Sequence, residues 1–369
     1  MAHTLPTTGR EPRILVISLA GIGDTLFATP LVHELRANFE QARIDALVMW
    51  AGSNDVLQGN PHLNTVFQHN LIRASTSASL VFLNRLRKEK YDVSINTHPQ
   101  SRVHYRIVAR LINARTRLSH EYDNSGVLDK LLVNRTLKQD YNRHSIENNL
   151  ALLDLIGIKP VLPRHDYELF LAPSEIEWAE KYLTSNNLTG RKLFGMHVGS
   201  GGTKNLALRR WPLDRYIELI RKVNRDWPET AILLFGGPEE ERDHAQILAQ
   251  TGLRSAFCPK TENLQQAAAL LKKCELFLSV DTLLMHLAAA MKVPKQFVIE
   301  TPTWNKPIEP YGNPFVLVKN PAVAGKNLDY YRYDGQGIRG TKPQLTRCME
   351  SVAVEAVYEK LRAASALRR

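Results

Sequence analysis

Three cysteines in 369 residues, Cys258, Cys274 and Cys348, are widely spaced and odd in number. That excludes a disulfide framework or a Cys-based zinc site, and they read as packing residues. No run approaches the roughly eighteen consecutive apolar residues that a spanning helix needs. Residues 1–12 lack the apolar segment of a signal peptide and read as a disordered N-terminus, so a cytoplasmic protein is expected. No Asp-x-Asp pair occurs, which leaves no paired carboxylate motif for a catalytic magnesium or manganese; no metal and no cofactor are expected. Interleaved aromatics, a compact helix-turn-helix and a zinc-finger pattern are also missing, and nucleic acid is disfavoured.

What the chain has in quantity is positive charge: 48 basic against 37 acidic residues, a formal net charge of +11. This favours an anionic partner, which could be nucleic acid, a membrane surface or an acidic substrate. The length suits two α/β domains of ordinary size, and 44% hydrophobic residues can fill large cores.

The stretch from Arg13 to Arg36 reads as strand, tight glycine turn and helix, the opening unit of a parallel α/β sheet. Such a turn usually seats a pyrophosphate on glycine backbone and helix N-terminus. Here Leu26 stands where a third glycine would follow Gly21 and Gly23, and Asp24 puts negative charge at the helix mouth. Asp24 is then either a helix cap or a base placed to take a proton from a substrate hydroxyl.

Arg43–Met49, a segment around Thr65–Phe67 and Tyr91–Asn96 read as further strands, with helices over Ala74–Lys88 and Ser101–Asn113. In the last of these, Arg102, Arg106 and Arg110 recur every fourth residue beside an apolar stripe of Val103, Ile107 and Leu111. One face is expected to be strongly basic and suited to phosphate or carboxylate; the alternative is an ordinary solvated face. Pro160, Pro163 and Pro173 bracket a strand-like Tyr167–Leu171 and mark a linker. Ser174 and Glu177 read as the capping box of the helix that follows.

Arg191–Val198 begins a second α/β half. Its loop gathers Ser200, Gly201 and Lys204, a set that fits a phosphate seat or a surface turn, and Arg209-Arg210-Trp211-Pro212 opens the next helix. After the strand Glu275–Val280, a helix begins at Asp281 with Thr282 and His286 one turn apart. A substrate at that helix mouth could meet both; alternatively Asp281 caps the helix and His286 is a core histidine. Residues 321–343 read as a long loop, and Glu350–Leu367 as a closing amphipathic helix.

Taken in order, Ile17–Asp24 with Thr29-Pro30-Leu31, His197–Gly201 leading to Arg209–Pro212, Leu234–Gly237, Ser279–Thr282 with Met285–Ala289, and Pro310-Tyr311-Gly312 resemble the family 9 glycosyltransferases, whose known members include ADP-heptose:lipopolysaccharide heptosyltransferases. The resemblance runs from Arg13 to about Glu359. It implies a GT-B architecture: two Rossmann-like parallel-sheet domains facing a cleft, residues 13–172 binding the acceptor and 173–348 the nucleotide-sugar, with residues 349–369 crossing back to the first domain.

It further implies that Asp24 deprotonates the acceptor hydroxyl for inverting attack on the anomeric carbon. Ser200 falls on a phosphate-contacting position, Arg209 on a residue that neutralises the leaving diphosphate, and Asp281, Thr282 and His286 on the donor segment. The chain departs from the family by carrying Leu283 and Thr301 where glycine is usual. An anionic glycolipid acceptor such as a keto-deoxy sugar acid of lipopolysaccharide core, held by Arg102, Arg106 and Arg110, fits the charge, as does peripheral association with the inner membrane surface. A nicotinamide oxidoreductase is disfavoured by Asp24 and the missing glycine; a different nucleotide-sugar, or a non-catalytic binder of the same fold, stays open.

Overall fold

The computed structural model describes residues 11–200, 206–323, 326 and 340–366. The expected disorder of the N-terminus, most of the loop expected over 321–343, and the phosphate-loop candidates Gly201 and Lys204 lie outside the described residues. Backbone contacts divide the chain between Phe170 and Leu171 into two compact units.

The first unit runs β1 (Arg13–Ser18), α1 (Ile22–Leu26), α2 (Thr29–Asn38), β2 (Arg43–Val48), α3 (Ala51–Leu57), β3 (Thr65–Gln68), α4 (Thr76–Lys88), β4 (Val93–Asn96), α5 (Val103–Ile112), β5 (Thr116–Glu121), α6 (Val127–Leu132), β6 (Arg135–Lys138) and α7 (Ser145–Ala151). Its strands pair in the order β3-β2-β1-β4-β5-β6, all parallel. β1 is central: Ile14 lies beside Ile44 on one side and Val93 on the other. Strands covered on both faces need apolar residues at every position, which is why β1 and β4 read so clearly. β5 and β6 had not been expected, because Thr-Arg-Leu-Ser-His-Glu and Arg-Thr-Leu-Lys look like charged surface.

The second unit runs α8 (Pro173–Ser185), β7 (Leu193–His197), α9 (Leu213–Asp226), β8 (Ala231–Phe235), α10 (Glu241–Thr251), β9 (Ala256–Phe257), α11 (Leu264–Leu271), β10 (Leu276–Ser279), α12 (Leu283–Ala290), β11 (Lys295–Ile299), β12 (Phe315–Val318), α13 (Lys342–Arg347) and α14 (Val354–Ala366). Its parallel order, β9-β8-β7-β10-β11-β12, repeats that of the first. In each sheet the order reverses beside the first strand, between β1 and β4 and between β7 and β10. Open α/β sheets bind ligands at the carboxyl ends of the strands flanking such a point.

Two local expectations change. The helix after the linker is capped by Ala172, without a side-chain bond, and starts at Pro173; Glu177 pairs one turn on with Lys181 at 2.7 Å, so no Ser174 capping box forms. Tyr167–Leu171 is not a strand. The closing helix α14 packs Val357, Tyr358 and Leu361 into the second unit's core, against α9, β11 and β12.

The largest correction concerns α5. Arg106 is 1% exposed: its guanidinium pairs with Asp129 at 2.8 Å, donates to the carbonyl of His120 at 3.2 Å, and lies over the Tyr122 ring. Val103, Ile107 and Leu111 are the exposed ones. Arg102 caps the helix, and Arg110 is exposed and bonds Asn113 at 2.8 Å. The three arginines therefore do not form one solvent-facing acceptor stripe, because burial of Arg106 turns the helix so that its apolar row faces water.

Candidate functional site

At the carboxyl end of β1 the turn is fixed before any ligand arrives. Trp50 Nε1 donates to the Ala20 carbonyl at 2.6 Å, and Thr25 Oγ1 donates to Ser53 Oγ at 2.9 Å. Asp24 is half-buried at the third position of α1, where Oδ2 accepts the Gly21 amide at 2.6 Å. A Cβ at Gly21 would stand 2.9 Å from that oxygen, so a side chain there would push the carboxylate off its cap. The capping role is thus real, and it holds the carboxylate at the strand edge. Tyr105 of α5 is within electrostatic reach: burial raises its phenol, Arg102 lowers it and the Asp24 charge raises it. Across the switch point His98 follows β4, buried and held well below the ordinary imidazole range by burial and then by His120 and His144.

In the second unit the switch point is occupied by cations, hydroxyls and buried acids. Trp211 is buried, stacks edge-on with Tyr216 at 4.8 Å and donates Nε1 to the Val352 carbonyl at 2.9 Å. This anchors the segment that carries Arg209 and Arg210. Arg209 Nη1 bonds the carbonyl of Asp281 at 3.1 Å and its Oδ2 at 3.0 Å, while Arg209 Nε has no hydrogen-bond partner among the described residues. Burial raises the Asp281 carboxyl; Arg209 and then the Thr303 hydroxyl, which donates to Oδ2 at 3.1 Å, pull it back.

Thr303 in turn bonds Thr301 at 3.1 Å. Thr301 is fully buried, so the threonine that stands at a position expected to be glycine is part of the chain that orients Arg209. Leu283, the other departure, is half-buried at the start of α12.

Arg210, not Arg209, reaches Ser200: Nε donates to Oγ at 3.2 Å, and the other nitrogens lie 3.3 Å from Asp243 and 3.8 Å from Glu240. Glu240 accepts the Gly237 amide at 2.9 Å and is raised by burial. A Cβ at Gly199 would fall 2.0 Å from Glu240 Oε1, so the loop can approach this acid only as glycine. His197 Nδ1 meets Thr282 Oγ1 at 3.0 Å, bridging β7 to the mouth of α12. Burial, with the nearby His244 and Arg210, lowers His197 to about 3, which keeps the ring neutral. Thr282 is the N-cap of α12, in place of Asp281, and makes no side-chain cap; His286 is buried one turn later.

The structure thus brings together Arg209 with Asp281, Thr282 with His197, and Ser200 with Arg210. Sequence reasoning missed Arg210, Glu240, His244 and Thr303. Only the pairing of two adjacent arginines before Trp211 hinted at one of them.

Among the described residues one group assembles metal-type ligands, His33, His62 and Glu168. His33 Nδ1 is 2.6 Å from Glu168, and the two imidazoles stack at 3.8 Å with 11° between planes. His62 Nε2 lies 3.6 Å from the same carboxylate, so Glu168 stands against the edges of both stacked rings. Burial, with His33 and Arg36, lowers His62 to about 4.

Two Rossmann-like parallel-sheet units, the second with arginines and helix-mouth groups at its switch point, define an α/β protein of the GT-B glycosyltransferase class. The chain belongs to glycosyltransferase family 9 (heptosyltransferase), whose family model matches residues 80–330. It is similar to lipopolysaccharide heptosyltransferase 3 of Escherichia coli, 24% identical over 283 residues, covering 74% of this chain and 78% of that protein. Among solved structures, the family 9 glycosyl transferase of Veillonella parvula superposes with a TM-score of 0.75 at 19% identity, covering 93% and 98% of the two chains. The E. coli heptosyltransferase WaaC with ADP gives a TM-score of 0.70 at 19% identity, covering 95% and 99%. No helix among the described residues is long and apolar enough to cross a membrane.

Proposed function

We propose that this protein is an inverting, metal-independent heptosyltransferase that moves heptose from an ADP-heptose donor onto an anionic lipopolysaccharide-core acceptor, working in the cytoplasm at the inner membrane surface. The observation that carries this reading is Arg209, held by buried Asp281 at 3.0 Å at the second switch point of a family 9 chain. A guanidinium fixed in advance at low dielectric stabilises charge that develops on a departing diphosphate without reorganising at the moment of reaction. Arg210 and Ser200 extend that seat.

In the other unit Asp24 removes the proton from the acceptor hydroxyl. The oxygen attacks the anomeric carbon opposite the diphosphate, the bond to the phosphate oxygen breaks with its electron pair, and configuration inverts. Arg102 and Arg110 offer charge to acidic sugars of the acceptor, while Arg106 serves the fold. ADP as the nucleotide is supported by the E. coli relative solved with it.

A different donor, or binding without transfer, is favoured by one observation: Leu283 and Thr301 put side chains where glycine is usual. Incubation with ADP-heptose and deacylated core acceptor, followed by mass spectrometry, tests the reading. A heptose-sized gain on the acceptor, unchanged by chelator, is expected. ADP-heptose that binds without any product would make the chain a binder, and turnover lost in chelator but restored by added metal would overturn metal independence.

A further inference from the structure

Among the described residues, eight of the eleven exposed large apolar side chains lie on three consecutive helices of the first unit. Val103, Ile107 and Leu111 line α5, Val127, Leu128 and Leu131 line α6, and two more lie on α4; α5 packs against both neighbours. Exposure reaches 69% at Leu131 and 79% at Val127. Monomeric proteins rarely leave so contiguous an apolar face in water without a partner.

The charged side chains exposed on the three helices are all cations, and exposed Asp123 stands in the turn before α6. α4 and α5 contain no acidic residue, and the one in α6, Asp129, is buried against Arg106 and the Gly126 amide. Arg87 and Lys88 close α4, Arg110 lies near the end of α5, and Lys130 lies on α6; all are exposed. Apolar side chains at helix surfaces whose own exposed charges are cations match the headgroup boundary of an anionic bilayer, where both terms contribute to binding. A protein partner would need an acidic, apolar surface of its own.

We propose that the α4–α6 face is a docking surface for an anionic phospholipid bilayer, with α5 and α6 seated in the headgroup region. The placement has a purpose that rests on the transferase reading above. Tyr105 of α5 feels the charges of both Arg102 and Asp24, so the helix that begins beside the candidate base continues as the docking face. A bilayer against that face would bring the sugar end of a lipid-anchored acceptor toward Asp24.

The test uses the whole protein and sedimentation with vesicles of phosphatidylcholine, with and without phosphatidylglycerol. Binding is expected only with phosphatidylglycerol, and should weaken as salt rises. The variant Val127→Ser/Leu128→Ser/Leu131→Ser, which alters only exposed positions, should lower the partition coefficient about tenfold or more while the unfolding temperature stays put. No binding to anionic vesicles, or undiminished binding of the triple variant, overturns the proposal. So does a wild-type dimer that the triple variant splits into monomers, since a second copy would then cover the face. A protein that transfers no heptose, yet binds vesicles in the expected pattern, fails the transferase reading and leaves the docking face intact.

Discussion

The two sheets share the strand order in which the first strand pairs with the second and the fourth, and each reserves the same place for chemistry, yet what stands there differs. Beside β1 the loop enters a short helix through an acid, and Asp24 closes on its own turn through the Gly21 amide. Beside β7 the loop leads toward arginines that are braced from below by Asp281, Asp243 and Glu240. One mouth repels anions and can accept a proton; the other attracts anions and can hold a leaving phosphate. One topology thus carries opposite local charge at its two switch points because a few side chains there differ.

The comparison breaks most visibly at Asp24. Asparagine there keeps an oxygen for the Gly21 amide, so fold and nucleotide affinity should stay, while turnover falls by about two to four orders of magnitude. Steady-state rates with unfolding curves check both parts. Turnover near the wild-type level would leave Asp24 as a cap alone and remove the chemical contrast between the sheets.

Arginines test whether charge in the first unit serves ligand or fold. Arg106→Met leaves Asp129 buried without its cation, and stability should drop by about 3 kcal/mol. Arg102→Gln and Arg110→Gln, at exposed positions, should stay within roughly 0.5 kcal/mol of the wild type and raise the acceptor Michaelis constant instead. Denaturant unfolding separates the two classes. If Arg106→Met unfolds like the wild type, the buried pair is not what turns α5.

Arg209 sharpens the comparison from the other side. Its replacement by alanine should weaken binding of the free nucleoside diphosphate by about 2 kcal/mol, with Michaelis behaviour toward the acceptor unchanged. Calorimetry with ADP is the direct measurement, and unaltered affinity would move the phosphate seat away from the Asp281 pair.

Much of this was legible in the residues. Strands buried on both faces announce themselves as apolar runs, and Asp24, Ser200 and Asp281 stand just past such runs; Arg209, Thr282 and His286 were singled out beside them, and the roles expected of all six came from the resemblance to family 9. What a linear reading could not see is pairing across distance. Arg209 meets Asp281 at a separation of 72 residues and His197 meets Thr282 at 85. Arg106 looked like surface because the burial of a charge is decided by its partner, here Asp129 on the next helix. The same polarity that hid β5 and β6 made the whole region look like a basic flank, when its most exposed helices are apolar.

The smallest expected effect concerns protons and the second switch point. His197 is buried between Thr282, His244 and Arg210, and its folded value of about 3 lies below the ordinary 6.5 that it regains on unfolding. Between those values the unfolded chain binds more protons than the folded one, so stability present above pH 6.5 is lost as pH falls toward 3. The first unit holds His98 down in the same way, and His120 at about 4, so acid alone cannot tell one sheet from the other. The variant His197→Asn can. Its amide can keep a bond to Thr282 but cannot charge, so its unfolding temperature should decline less steeply from pH 6.5 to 4.5 than that of the wild type. Parallel decline in the two proteins would take His197 out of the acid sensitivity and leave it to the other depressed histidines, His244 of the second unit and His98 and His120 of the first.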